Sequence, residues 1–353
     1  MIKGKLNSIQ YLRGLAALTV VVAHSWDHPL AQTPALAGAL GELGVVLFFV
    51  ISGFIMVAIT GEGRFAWGDF LKRRAIRIVP LYWLATLLTA AFALAVPALF
   101  RSTAFSWQHL LLSLLFVPHA APDTGSFSPI LALGWTLNYE VWFYICFAAL
   151  AGLLARNRVI ALTLFFSALA VLGLLFAPHT AAAQFYTGYA PLAFCIGCWI
   201  GLATVNGTLL RLPRVANALV LVVGIAGLVV GLLIGEDAAA PWQPFIGFAV
   251  FAGSLVFLGL RVESRLPQVK ALVAIGDASY AMYLIHMFIV GAVVAVAAKL
   301  LPVTHAPILV ALVAGCVALA TVVALLVHVL IEKPALRVLH GTLTPRARPQ
   351  AAG

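Results

Sequence analysis

Charge is scarce in this sequence. Only 9% of its 353 residues are Asp, Glu, Lys or Arg, against 63% that are hydrophobic, and the mean hydropathy is +1.09. A soluble domain averages about 25% charged residues. A chain this poor in them cannot cover a globular surface with polar groups, so lipid must be its solvent. Cysteine is scarce as well, with four in all. Cys146, Cys195, Cys198 and Cys316 each fall inside an apolar run, and Cys195 and Cys198 form a lone C-x-x-C. A zinc site would need a second pair or His ligands nearby. The spacing therefore points to small buried packing residues and to no metal. An uninterrupted signal-peptide core is missing too. Lys3 and Lys5 precede an apolar run, but Arg13-Gly14 breaks it, so the first segment reads as a retained membrane helix. No strong internal repeat is visible, which counts against repeat-built transporters.

What the chain has in quantity is apolar runs of membrane-crossing length. A span needs roughly 20 apolar residues. Such runs lie at about 9–27, 41–60, 78–97, 134–154, 159–177, 185–204, 215–234, 243–260, 272–298 and 307–331. The expected fold is an all-α polytopic membrane protein of about ten transmembrane helices with both termini cytoplasmic. Another apolar stretch, 107–117, is half a span and reads as an interfacial or re-entrant piece.

The net charge of +10 is distributed as an orientation signal. With the N-terminus inside and ten spans, only Arg101 and Lys299 of the 21 basic residues fall outside, while Arg13 lies within the first span. An eleventh span at 107–117 would send every cation from Arg156 to Lys270 outside, against the positive-inside rule. These cations flank apolar runs instead of forming a soluble basic face, which excludes nucleic acid as a partner. Residues 1–337 form one transmembrane domain, and 338–353, with Gly341, Pro345, Pro349 and Gly353, read as a short disordered cytoplasmic tail. The longest outside loop, about 98–133, is long enough to cap a site.

Ionisable groups inside spans are costly and mark function by default. In YLRGLAALTVVVAH, Arg13 and His24 stand eleven residues apart, about three helical turns, on one face and about 16 Å apart along the axis. Taken singly, Arg13 could snorkel and His24 could cap the outer end of the helix. In FLKRRAIRIVPLYW, Arg74 and Arg77 are helical neighbours. They serve either orientation or, through their forked donors, phosphate binding. GWTLNYEVWFY places Glu140 about 9 Å below the outer boundary of its span, with Tyr144 one turn further on. GDASYAMYLIH carries Ser279, Tyr283 and His286 on one stripe, with His286 about 20 Å up from the inner start. By this reckoning Arg13, Arg74 and Arg77 gather at the inner end. His24, Glu140 and His286 should line one cavity in the outer half. Gly44, Ser52 and Gly53 of GVVLFFVISGFIM read as helix-packing positions, and Glu332 beside Lys333 as a surface pair.

Six strings, YLRGLAALTVVVAH, GVVLFFVISGFIM, RRAIRIVPLYW, GWTLNYEVWFY, SYAMYLIH and EKP, occur in that order. In them, over nearly the whole chain, the sequence resembles the membrane-bound acyltransferase 3 family, close to its exopolysaccharide and O-antigen O-acetyltransferases. Any one string is weak; six in order on a ten-span chain are strong. The resemblance implies a bacterial inner-membrane enzyme that moves an acyl group, usually acetyl, from cytoplasmic acyl-CoA to a hydroxyl of a glycan or glycolipid. It carries the family's Arg–ten-residue–His pattern onto Arg13 and His24, and Arg-x-x-Arg onto Arg74 and Arg77. His24 is then the expected base, or the acyl carrier of an acyl-histidine relay, and Glu140 its support, with Arg13, Arg74 and Arg77 on acyl-CoA. Tyr144, Ser279, Tyr283 and His286 are left to contact the acceptor or the oxyanion. A transporter or flippase of a glycan or small solute would use the same buried polar residues and is the competing reading.

Overall fold

A computed structural model describes residues 4–30, 34–96, 105–122, 124–125, 127–234, 242–300 and 306–343. The regular secondary structure of the described residues is all helical apart from one isolated bridge, Ala120 to Phe127. A long apolar chain has little choice here. Backbone groups in hydrocarbon must be satisfied within their own segment, and the helix does this.

In chain order the helices are α1 (Asn7–Leu30), α2 (Pro34–Thr60), α3 (Trp67–Ala95), α4 (Trp107–Leu114), α5 (Gly134–Ala149) and α6 (Ala155–Phe176). They continue with α7 (Ala181–Tyr186), α8 (Pro191–Val205), α9 (Thr208–Arg211), α10 (Arg214–Ile234) and α11 (Trp242–Val262). The last four are α12 (Lys270–Asp277), α13 (Ser279–Leu300), α14 (Ala306–Val327) and α15 (Lys333–Leu343). Among the described residues, 8 helices are long and apolar enough to cross a membrane. Two of the ten expected spans are not among them: α5 has 16 residues, and α1 carries Arg13, His24 and Asp27. The fold is thus a polytopic helical bundle, as its composition requires.

Its outside is apolar and its inside partly polar. Phe176 is 75% exposed and Leu233 81%, on helices whose neighbour must be lipid. The centre is α2, which packs against α1, α8 and α11. Phe194 stacks between Phe49 and Phe143 at centroid distances of 4.5 and 4.6 Å. The α2–α8 crossing is close enough to demand glycine. A Cβ on Gly53 would lie 1.9 Å from the Phe194 carbonyl oxygen, and one on Gly197 1.9 Å from that of Val50. Gly53 is therefore a packing glycine, as its motif suggested. Cys195 and Cys198, on the same α8, are buried free thiols.

Three expectations need correction. The ninth span is two helices that meet at Ala278, because Gly276 and Asp277 sit poorly in a helix interior. Asp277 instead pairs with Lys5 at 2.8 Å, and Gly276 passes close under the Gln10 carbonyl. The C-terminal helix α15 runs through Leu343, beyond residue 338 where a disordered tail was expected; residues 344–353 lie outside the described residues. Glu332 is not a surface residue. It is 3% exposed, in a π-helical turn (His328–Glu332) between α14 and α15, and is paired with Arg77 and His328. The half-span stretch is the 8-residue α4, docked on α3 by hydrogen bonds from Tyr82 Oη to the Ser113 carbonyl and from Trp83 Nε1 to that of Leu114.

Candidate functional site: two cavities along one helix pair

Two cavities lie one above the other along α1 and α2. The smaller, about 490 Å³, takes Gln10 and Arg13 from α1, Ser52 from α2, Arg74 and Arg77 from α3, and Glu140 from α5. The larger, about 760 Å³, takes Ala23, His24 and Asp27 from α1, Gly41 and Glu42 from α2, and Trp135 and Tyr139 from α5. Ser128, Ala132 and Leu133 also line it, so the loop before α5 contributes to this wall. Val45, Phe49 and Tyr283 line both cavities and form the partition. Tyr283 is fixed there: its hydroxyl lies 2.8 Å from Thr136 Oγ1 and donates to the Leu133 carbonyl at 3.1 Å.

The smaller cavity is cationic. Lys5, Arg13, Arg74, Arg77 and Lys333 line it, with Glu140 and Asp277 as the lining carboxylates. The two arginines of α3 are held differently. Arg77 pairs with Glu332, whose other oxygen lies 2.8 Å from His328 Nδ1, and its guanidinium sits 5.5 Å above the Tyr280 ring. Arg74 Nε is buried and has no hydrogen-bond partner among the described residues. The hydroxyl of Ser279 is in the same condition. A buried polar group without a partner is costly, so this wall of the cavity is suited to a ligand that brings hydrogen-bonding groups of its own. Arg13 donates to Gln10 Oε1 at 3.2 Å.

Glu140 belongs to this cavity and not to that of His24. One of its oxygens accepts from Ser52 Oγ at 2.8 Å and from the Tyr144 hydroxyl, and those two hydroxyls are 3.0 Å apart. The expected common cavity of His24, Glu140 and His286 is therefore not what the bundle builds. Trp135 faces the larger cavity and Thr136 the smaller, so the partition crosses α5 one turn before Glu140. Ser52, read from sequence as a packing residue, turns out to be a ligand of the carboxylate.

His286 lines neither cavity. It is fully buried, with its ring centroid 5.2 Å from that of His24. Its Nδ1 lies 2.7 Å from the Tyr283 carbonyl, which can only accept, so the contact assigns the proton to Nδ1. Nε2 is then a bare acceptor, without a partner among the described residues. The remaining residues singled out in the sequence, Tyr144, Ser279 and Tyr283, all line the smaller cavity.

Two arginines that read as topology signals have structural work. Arg158 is fully buried between the Phe65 and Phe147 rings and donates to the Gly63 and Leu153 carbonyls at 2.8 and 2.7 Å. Arg261 donates to the carbonyls of Leu209, Leu210 and Leu212. Each ties neighbouring loops together at one end of the bundle.

The helical membrane bundle thus stacks a cavity holding His24 on a cavity lined by arginines. The model of the acyltransferase 3 family, described as an acyltransferase domain, matches residues 6–327, and the chain belongs to this family. It is 33% identical over 303 residues to the exopolysaccharide production protein ExoZ of Rhizobium meliloti, covering 84% of this chain and 90% of that protein. It is also 28% identical over 151 residues to the acyltransferase MdmB of Streptomyces mycarofaciens, covering 40% of this chain and 38% of that one. No solved structure shows a significant match. The protein is a multi-pass membrane acyltransferase.

Proposed function

We propose that the protein transfers an acyl group, acetyl in the simplest case, from cytoplasmic acyl-CoA to a hydroxyl of an exported or cell-surface glycan. The observation that carries this reading is the pair of cavities, one cationic and one holding His24, that share Val45, Phe49 and Tyr283 in their walls. The likeness to an exopolysaccharide production protein supports a glycan acceptor, and the bacterial inner membrane is the corresponding location.

The chemistry divides between the cavities. Acyl-CoA is polyanionic, and the arginines of the smaller cavity match its phosphates. Arg74 offers a free donor, while Arg77 is held in place by Glu332. The pantetheine arm passes the partition and brings the thioester to the foot of the larger cavity. His24 takes the proton of the acceptor hydroxyl as its oxygen attacks the thioester carbonyl. The C–S bond breaks, and the CoA thiolate leaves with the proton from His24. Tyr283, its hydroxyl held by Thr136 and the Leu133 carbonyl, bounds the passage between the cavities where the thioester must pass. His286, enclosed behind His24, orients that ring and does not touch the acceptor. Glu140 acts with Ser52 and Tyr144 on the donor side.

The test is incubation of purified protein with acyl-CoA labelled in the acyl group. Transfer of label to a glycan, with release of free CoA, is expected. A transporter using the same polar residues would leave the thioester intact, and that outcome would remove the enzymatic assignment.

A further inference from the structure

Among the described residues, the charged side chains that line the two cavities differ in sign. Lys5, Arg13, Arg74, Arg77 and Lys333 face the smaller one. Among the described residues the larger has no Lys or Arg in its lining, and its charged side chains are Asp27 and Glu42. Membrane topology accounts for cations at the inner end, since Lys and Arg bias is what sets orientation. It does not account for the carboxylates, because Asp and Glu contribute little to that rule.

The rest of the larger cavity is aromatic. Phe49, Trp135 and Tyr139 meet edge to face at centroid distances between 6.0 and 6.4 Å, and Tyr189 packs on Phe245 at 4.9 Å. At about 760 Å³ it has the volume of a small-molecule site. Ionised carboxylates only accept hydrogen bonds, and a sugar offers hydroxyl donors. They also repel any carboxylate, sulfate or phosphate brought beside them in a chamber walled by apolar rings.

We propose that the larger cavity selects an uncharged sugar unit as the acyl acceptor. Asp27 and Glu42 hold it through its hydroxyls, the aromatic wall through its apolar face, and uronate or phosphorylated sugars are excluded. This rests on the acyltransferase reading above. The test uses the full chain in nanodiscs with an alkyl glucoside and the matching alkyl glucuronide. Acyl transfer is read by mass spectrometry, and acyl-CoA binding is measured in parallel as a check on folding. The glucoside is expected to be acylated at least tenfold more efficiently. In the combined Asp27→Asn, Glu42→Gln variant that preference should collapse. Equal or better use of the glucuronide overturns the proposal, and so does an unchanged preference in a variant that still binds acyl-CoA. Glycans from cells with and without the gene supply the second arm. An acyl group on a neutral residue supports the proposal and one on a uronate defeats it. If the two glycan samples do not differ, the glycan acyltransferase reading itself fails, and the selectivity falls with it.

Discussion

His24 and His286 are both imidazoles, but the structure gives them different work. His24 opens onto the larger cavity, whereas His286 is sealed from both and has its tautomer fixed by the Tyr283 carbonyl. His24→Ala should lower turnover by about 10²–10⁴-fold, the usual contribution of a general base. His24→Gln should be nearly as inactive, because it keeps polarity without basicity. His286→Phe keeps a ring of similar size but no acceptor nitrogen. It should cause a smaller fall in kcat, a displaced pH–rate profile and an unchanged KM for acyl-CoA. Steady-state kinetics on the purified variants decides this, and full activity in His24→Ala would end the base assignment. The arginines divide in the same manner. Arg74→Ala removes a charge-assisted phosphate contact of about 1.5–3 kcal/mol, which weakens acyl-CoA binding roughly ten- to over a hundredfold. Calorimetry on the folded, inserted protein measures it; undiminished affinity would reduce Arg74 to an orientation signal.

Between helices, the decisive contacts come from residues far apart in sequence. The π turn between α14 and α15 brings Glu332 to Arg77, and the carboxylate is buried with His328 as its second partner. Glu332→Gln should therefore weaken acyl-CoA binding without touching the cavity of His24. An unchanged donor affinity would show that Arg77 does not need its partner. At the α2–α8 crossing, Gly53→Ala places a methyl group where the Phe194 carbonyl already lies. Rigid backbone cannot yield as a side chain does, and overpacking typically costs about 1–3 kcal/mol. The variant should lose thermal stability and monodispersity in detergent, and a melting temperature equal to the parent would mean that the two helices can separate freely. The positions of these elements were legible in the sequence, since run length of apolar residues is a local property. Their facing was not. Glu140 was placed by helix rise from an assumed boundary, but Ser52 and Tyr144 on the donor side capture its carboxylate. Glu332 beside Lys333 looked like a surface pair because nothing local announces the arrival of Arg77.

For the molecule as a whole, the class and the gathering of Arg13, Arg74 and Arg77 were readable because lipid punishes exposed charge wherever it occurs. The break at Ala278 was passed over although Gly276-Asp277 stands at it, because the run is apolar on both sides; the partner that holds Asp277, Lys5, lies across most of the chain. Those long-range contacts now bear on orientation. Asn7 and Ser8 donate backbone N–H groups to Glu263 at 2.7 and 2.9 Å, and Lys5 pairs with Asp277. The N-terminus, the end of α11 and the start of α13 therefore share one end of the bundle. Arg261 reaches the loop after α8, and Arg158 joins the start of α6 to the loop after α2. The ten-crossing path returns each of these loops to the N-terminal side, where the cations outnumber those opposite. On this path Arg156, Arg211 and Arg265 lie in the cytoplasm, with Pro122 and Lys299 across the membrane; Glu236, expected with the latter, falls outside the described residues. All five named positions are exposed. Single cysteines placed there, in a background freed of the four native ones, should react with an impermeant thiol reagent from opposite sides of intact cells. Positions 122 and 299 should label in cells, and 156, 211 and 265 only after the membrane is opened. Labelling of positions 122 and 156 from the same side would mean that α5 does not cross. The proposed entry of acyl-CoA from the cytoplasm, and with it the direction of acyl transfer, would then have to be redrawn.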